Sequence, residues 1–141
     1  MNKTRFEELN ISANTKKAVV EMGFSETSPI QAAAIPILLE GRDIIAQART
    51  GSGKTAAFAI PIIERIDIAR GLQALVVCPT RELAIQVTEE FRKLFKYYQG
   101  PAVVTAYGGQ DINIQLRALS SNPQIVVGTP GRLIDHMWRG T

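Results

Sequence analysis

The chain has 141 residues, 45% of them hydrophobic and 21% charged, enough apolar side chain for one buried core without staples and too much for a disordered chain. A formal net charge of +3 permits an anionic partner such as nucleic acid without requiring one. The opening MNKTRFEELN carries charges where a secretory signal needs an apolar core, and no apolar run is long enough to span a bilayer, which points to a cytoplasmic protein with no membrane role.

In chain order, Ser12 is placed to cap a first helix over Ala13 to Met22, with Gly23 as its stop. Ser28 followed by Pro29 starts a second helix, ended by Gly41 and expected to bend at Pro36. DIIAQA, Asp43 to Ala48, reads as a buried strand, and the helix after it runs from Lys54 to Ile68 with Ala57, Ile60 and Glu64 at helical spacing and a kink at Pro61. Leu72 to Cys78 is the second strand. Its cysteine is the only one in the chain, cannot close an internal disulfide, and reads as a small buried hydrophobe. A helix over Arg81 to Tyr97 puts Leu83, Val87, Phe91 and Leu94 on one face. The strand Ala102 to Tyr107, helix Asp111 to Leu119, strand Gln124 to Thr129 and helix Gly131 to Trp138 complete the series, with Trp138 expected against the sheet and His136 on the surface. Strands apolar on both faces that alternate with helices specify an α/β domain whose parallel sheet is covered on both sides. Ligands gather beyond the carboxyl ends of such strands, so the loops after Ala48, Cys78, Tyr107 and Gly128 are expected to share one edge.

The first of those loops is the most informative. In ARTGSGKT, the backbone N–H groups of Arg49 to Gly53 can wrap phosphate oxygens, Gly51 and Gly53 permit the close approach, and Lys54 adds a charge at a helix N-terminus. Thr55 supplies the hydroxyl that joins a magnesium shell, so Lys54 and Thr55 are the candidate catalytic residues and Thr55 the candidate metal ligand. The pattern G-x-x-x-x-G-K-[ST] is met with Ala48 at the first glycine. Gly51, Gly53 and Ala56 also satisfy a dinucleotide fingerprint, but lysine followed by threonine argues against it, and Cys78 and Pro79 stand where that fingerprint wants an acidic residue.

With the other loops, the chain resembles the first RecA-like domain of DEAD-box RNA helicases over nearly its whole length. GFSETSPIQ (Gly23 to Gln31) is similar to the family's Q motif, ARTGSGKT to motif I, PTRELA (Pro79 to Ala84) to motif Ia, Gly108 and Gly109 to the GG element, and TPGR (Thr129 to Arg132) to motif Ib. The resemblance implies ATP and Mg2+ as cofactors. Gln31 would then read adenine, Phe24 would stack on the base with Phe6 behind it, and Arg49, Thr50, Gly51, Ser52, Gly53, Lys54, Thr55 and Ala56 would hold the phosphates. A glutamine amide suits the adenine edge, whose N6 donates and N7 accepts. Thr27 stands where the family often has proline. The resemblance also implies that Thr80, Arg81, Gly108, Gly109, Thr129 and Arg132 line an RNA path, holding backbone phosphates without reading bases.

On this resemblance residues 1–141 form the N-terminal part of RecA-like helicase domain 1, an incomplete P-loop fold. The acidic motif that names the family, its serine-alanine-threonine motif and the second RecA-like domain are expected beyond Thr141. The chain by itself is then expected to bind adenine nucleotide weakly at best and without turnover, and either to belong to a larger protein or to self-associate through exposed sheet edges. A non-catalytic nucleotide- or RNA-binding module, and a kinase or dinucleotide enzyme on the same cradle, are the alternatives. The substrate RNA is not specified by sequence, since backbone contacts ignore base identity.

Overall fold

The computed structural model describes residues 4–141. The chain divides into two compact units, one taking the chain up to Arg65 together with Lys93–Gln99, the other Ile66–Arg92 together with Gly100–Thr141.

The first unit is helical. A single 3-10 turn over Phe6–Glu8 precedes α1 (Ala13–Glu21), α2 (Pro29–Leu39) and α3 (Lys54–Arg65). Ser12 caps α1 as its position predicts, its Oγ accepting from the Thr15 N–H at 3.3 Å. Pro29 opens α2, where its missing N–H costs nothing. Pro36 and Pro61 lie inside α2 and α3, which run past them to Leu39 and Arg65. The two helices pack along each other through small and branched residues, with Ala34, Ile35, Ala56, Ala59 and Ile60 all buried. Each buried isoleucine contributes about 1.5–3 kcal/mol.

One polar node joins α1 and α3. The Ser12 N–H donates to Glu64 Oε2 at 3.0 Å, and Glu64 Oε1 accepts from the hydroxyls of Ser12 at 3.0 Å, Thr15, and Tyr98 at 3.2 Å. At the other end of α1, Glu21 accepts from Lys96 Nζ at 2.8 Å and Tyr97 OH at 2.6 Å. These bonds, Lys96 first, hold the Glu21 carboxyl below the usual carboxylate range.

The strand predicted over Asp43 to Ala48 does not form. Its residues carry no ladder and Ile45 is fully exposed. A strand exists only against a neighbour that takes its backbone groups, and among the described residues DIIAQA has none.

The second unit holds the sheet. β1 (Ala74–Val77), β2 (Val103–Ala106) and β3 (Ile125–Gly128) are ordered β1-β3-β2 and all parallel, with Ile125 level with Ala74 and Val103. α4 (Arg81–Leu94), α5 (Ile112–Ser120) and α6 (Pro130–Arg139) follow the strands in turn. The three strands and the helices after them match the sequence pattern to within a few residues. Val104, Ala106 and Val126 form a core cluster under Ala118, Leu119 and Leu133. Gly128 is required there, because a Cβ would press into the Ala106 carbonyl and the Leu133 side chain.

Leu83 is exposed while Val87, Phe91 and Leu94, predicted to share its face, are buried, and two further expectations fail on burial. β1 is not covered on both faces, since Leu75 and Val77 are 55% and 56% exposed. Trp138 is exposed and His136 buried, the reverse of the sequence reading. Leu133 and His136 lie three positions apart on the inward face of α6, and two further residues rotate Trp138 about 200° away from it.

Candidate functional site

The first unit carries the glycine loop of residues 49–53, the candidate phosphate cradle. Arg49 and Thr50 are exposed, and Gly51 and Gly53 adopt φ of 78° and 87°, a region that side chains with a Cβ rarely enter. A Cβ on Gly53 would collide with the Gln31 amide nitrogen. The loop folds on itself, with the Ser52 N–H donating to the Arg49 carbonyl at 3.2 Å and Lys54 Nζ to the Ala48 carbonyl at 2.6 Å. α3 starts at Lys54, so the N–H groups of Lys54, Thr55 and Ala56 are the opening donors of a helix and its positive dipole end. Thr55 is half-buried in that first turn, whereas the Ala56 side chain is core, leaving only its amide to face a ligand.

Gln31 reaches this loop. Its Nε2 donates to the Gly53 carbonyl at 3.1 Å and its Oε1 accepts from the Ser28 N–H at 2.9 Å. One N–H and one lone pair of the amide stay uncommitted. Ser28 and Gln31 stand as in a capping box, yet Ser28 Oγ is buried and makes no hydrogen bond. It lies 3.3 Å from the position a Gly53 Cβ would take. Phe24 is half-buried, its ring centroid 6.0 Å from that of Phe6 at 31°. Phe6 is itself 1% exposed and acts as core behind Phe24. Thr27 replaces the rigidity of a proline with bonds: its N–H and its hydroxyl both donate to the Thr4 carbonyl, each at 2.8 Å.

An orphaned buried hydroxyl, glycines that clear a path for other atoms, and an amide with one donor and one acceptor to spare suit a purine nucleoside polyphosphate. For a divalent cation the protein offers less. Among the described residues no three His, Cys, Asp or Glu side chains gather as a metal site. Asp67 bonds the Ala69 N–H, Asp111 caps α5, and Asp135 pairs with Arg139.

The second unit presents a different surface at the carboxyl edge of its sheet. After β1, Thr80 Oγ1 accepts from the Leu83 N–H at 3.2 Å and so caps α4. The Arg81 guanidinium lies 3.4 Å from where a Gly109 Cβ would stand and pairs with Glu82 at 3.5 Å; both side chains are exposed and the pair contributes little. After β2, Gly108 has open space around it and Gly109 adopts φ of 90°. After β3, the Thr129 N–H donates to the Ala106 carbonyl at 3.0 Å, and α6 begins. The structure thus gathers Thr80, Arg81, Gly108, Gly109 and Thr129 at the ends of adjacent strands.

Arg132 is turned inward. Its Nη1 donates to the Gln110 carbonyl and to Gln115 Oε1, both at 3.1 Å. Gln115, which belongs to no sequence motif, is 1% exposed. Its Nε2 donates to the Tyr107 carbonyl at 2.8 Å and to Gln110 Oε1 at 2.9 Å, and its Oε1 also lies 2.9 Å from His136 Nε2. Burial, then the nearby Arg132 cation, pushes the His136 imidazole below its ordinary value. The available signal for Gln115 was its helical spacing to the buried-face residues Ala118 and Leu119. Cys78 is buried as predicted, and burial raises its thiol.

A DEAD/DEAH box helicase family model matches residues 28–141. The DEAD-box ATP-dependent RNA helicase CshA of Geobacillus kaustophilus is 55% identical over 98% of this chain and 30% of its own length. The ATP-dependent RNA helicase DeaD of Klebsiella pneumoniae is 52% identical over 98% of this chain and 22% of its own. Among solved structures, a DEAD box protein from Methanococcus jannaschii matches with a TM-score of 0.91 and 47% identity, covering 99% of this chain and 38% of that one. A hypothetical ATP-dependent RNA helicase from Sulfolobus tokodaii matches at 0.81 and 40%, covering 92% and 37%. The chain therefore spans under a third of the length of these two curated relatives.

Proposed function

The chain belongs to the DEAD/DEAH box helicase family, and from that premise we propose that it binds ATP with Mg2+ through its first unit and an RNA backbone through its second. It does so as the N-terminal part of a RecA-like helicase domain in a cytoplasmic protein that unwinds or remodels RNA duplexes. A second RecA-like domain is the partner that completes the activity.

The observation that carries this reading is the Gln31–Gly53 hydrogen bond at 3.1 Å, which ties the base-reading first turn of α2 to the phosphate loop. The uncommitted N–H and lone pair of Gln31 complement N7 and N6 of adenine, while guanine opposes the Gln31 oxygen with an acceptor of its own. The exposed part of Phe24 stacks on the base. Amides of 49–53 and of the α3 N-terminus, with Lys54, hold the phosphates, and the Thr55 hydroxyl joins the metal shell. Magnesium, when bound, neutralises phosphate charge. Thr80, Arg81, Gly108, Gly109 and Thr129 meet RNA phosphates and riboses, and Arg132 supports them from behind.

Titration of the 141-residue chain with labelled ATP, GTP and single-stranded RNA tests the proposal. ATP is expected to bind about tenfold tighter than GTP, and Gln31→Ala to erase the difference. Equal binding of the two nucleotides by the unsubstituted chain overturns it. The commitment of Asp67, Asp111 and Asp135 to other contacts favours binding without turnover by this chain alone. RNA-stimulated ATP hydrolysis by it would contradict that part.

A further inference from the structure

Resting on the RNA-facing reading of the sheet edge, we propose that Gln115 is a positioning residue whose buried amide locks the Gly108–Gln110 loop to the Thr129–Arg132 turn. The two then meet an RNA backbone at one fixed spacing.

Gln115 sits on α5 one turn before Ala118 and Leu119, which pack on the core, and an unbonded amide there is strongly unfavourable. It is bonded four times, the full capacity of an amide. The orientation is forced as well. The Tyr107 carbonyl can only accept, so the Gln115 nitrogen faces it, and the oxygen then faces Arg132, which can only donate. His136 Nε2 must carry a hydrogen to approach that same oxygen, which fixes the neutral imidazole as the Nε2–H tautomer with Nδ1 turned to the Thr141 hydroxyl at 2.9 Å.

What this holds is the glycine pair. Gly108 and Gly109 have no side chains with which to anchor their loop. The residues on either side of them, Tyr107 and Gln110, are both bonded to Gln115. Gln110 is gripped twice, by its side chain from Gln115 and by its carbonyl from Arg132. Arg132 in turn donates from one nitrogen, Nη1, both to that carbonyl and to Gln115. The spacing between the two RNA-facing loops is thus set by a side chain that touches neither solvent nor ligand.

The test uses the 141-residue chain with Gln115→Met, which keeps length and loses every hydrogen bond, and Gln110→Ala, which removes one of the four from a half-exposed loop residue. Thermal unfolding and far-UV circular dichroism check folding, the amide resonances of Gly108 and Gly109 report the loop, and a fluorescein-labelled oligouridylate reports RNA affinity against salt. In folded Gln115→Met the two glycine amides are expected to shift or broaden, with RNA affinity down about tenfold and a shallower salt dependence, as fewer phosphates are engaged together. Unchanged glycine amides, or an affinity equal to that of a binding wild type, overturn the proposal. If the wild type binds no RNA, the reading of the edge falls, and the glycine amides alone decide whether Gln115 positions the loop. Should Gln115→Met not fold, Gln110→Ala decides, with a smaller change in the same direction supporting the proposal and none overturning it.

Discussion

The link between Gln31 and Gly53 makes the glycine as consequential as the amide. Gly53→Ala forces a side chain into φ of 87° and drives its Cβ into the Gln31 nitrogen. The strain is expected to cost about 1–3 kcal/mol, lowering the urea midpoint and removing detectable ATP binding; a variant with wild-type midpoint and affinity would show that the brace is dispensable. His136 gives a second residue-scale expectation. It is the only histidine in the chain, and burial, then Arg132, holds it below the ordinary imidazole value of 6.5. As pH falls below that value the unfolded chain takes up a proton that the folded chain refuses, so stability present at higher pH is lost on acidification. Urea midpoints are expected to fall between about pH 7.5 and 5.5, and His136→Gln to flatten that part of the profile. The glycine turn ahead of α3 was legible from sequence because its geometry is local, Gly51 and Gly53 at positive φ just before Lys54. Gln115 and His136 were not, because a polar residue in an amphipathic helix reads as solvent-facing until the helix phase is known.

Helices and strands were legible where the pattern is carried by neighbours in sequence, as in α4 or β3. What joins them was not. Glu64 looked like one more position at helical spacing, yet its donors Ser12, Thr15 and Tyr98 lie 52, 49 and 34 positions away. This node fixes the start of α1 to the end of α3, the helix whose other end begins at the turn of Gly51 and Gly53. Two substitutions grade its worth. Tyr98→Phe leaves the Glu64 carboxylate bonded to Ser12 and Thr15 and is expected to cost about 1 kcal/mol, whereas Glu64→Ala removes the acceptor shared by the Ser12 N–H and by the Ser12, Thr15 and Tyr98 hydroxyls and is expected to cost about 2–3 kcal/mol. Urea denaturation measures both, and equal effects would mean that Glu64 counts for no more in the node than a single donor does. DIIAQA shows the same limit from the other side: composition supplied everything a strand needs except a partner.

For the whole molecule, the order β1-β3-β2 leaves β1 at an edge with Leu75 and Val77 exposed on one face. The run Leu-Val-Val has no charge, proline or bulge of the kind that blunts an edge strand. A second copy of this chain is the partner proposed for that edge, with strand addition supplying main-chain bonds and the two side chains supplying burial. The magnitudes bound the result. Leu75 and Val77 contribute about 1.5–3 kcal/mol each when buried, close to the least that association costs in lost rigid-body freedom, about 4 kcal/mol. Ladder hydrogen bonds must supply the surplus, so the expected dissociation constant is on the order of 100 μM. Sedimentation velocity is therefore expected to show a monomer at low micromolar loading and a growing dimer towards millimolar, with little response to salt because the contact is apolar. Val77→Lys places a charge on the outward face without disturbing the pairing of β1 with β3, and is expected to abolish the concentration dependence. A chain that sediments as a monomer throughout, or a Val77→Lys variant that associates as the wild type does, would mean that the β1 edge is closed by something other than a second copy.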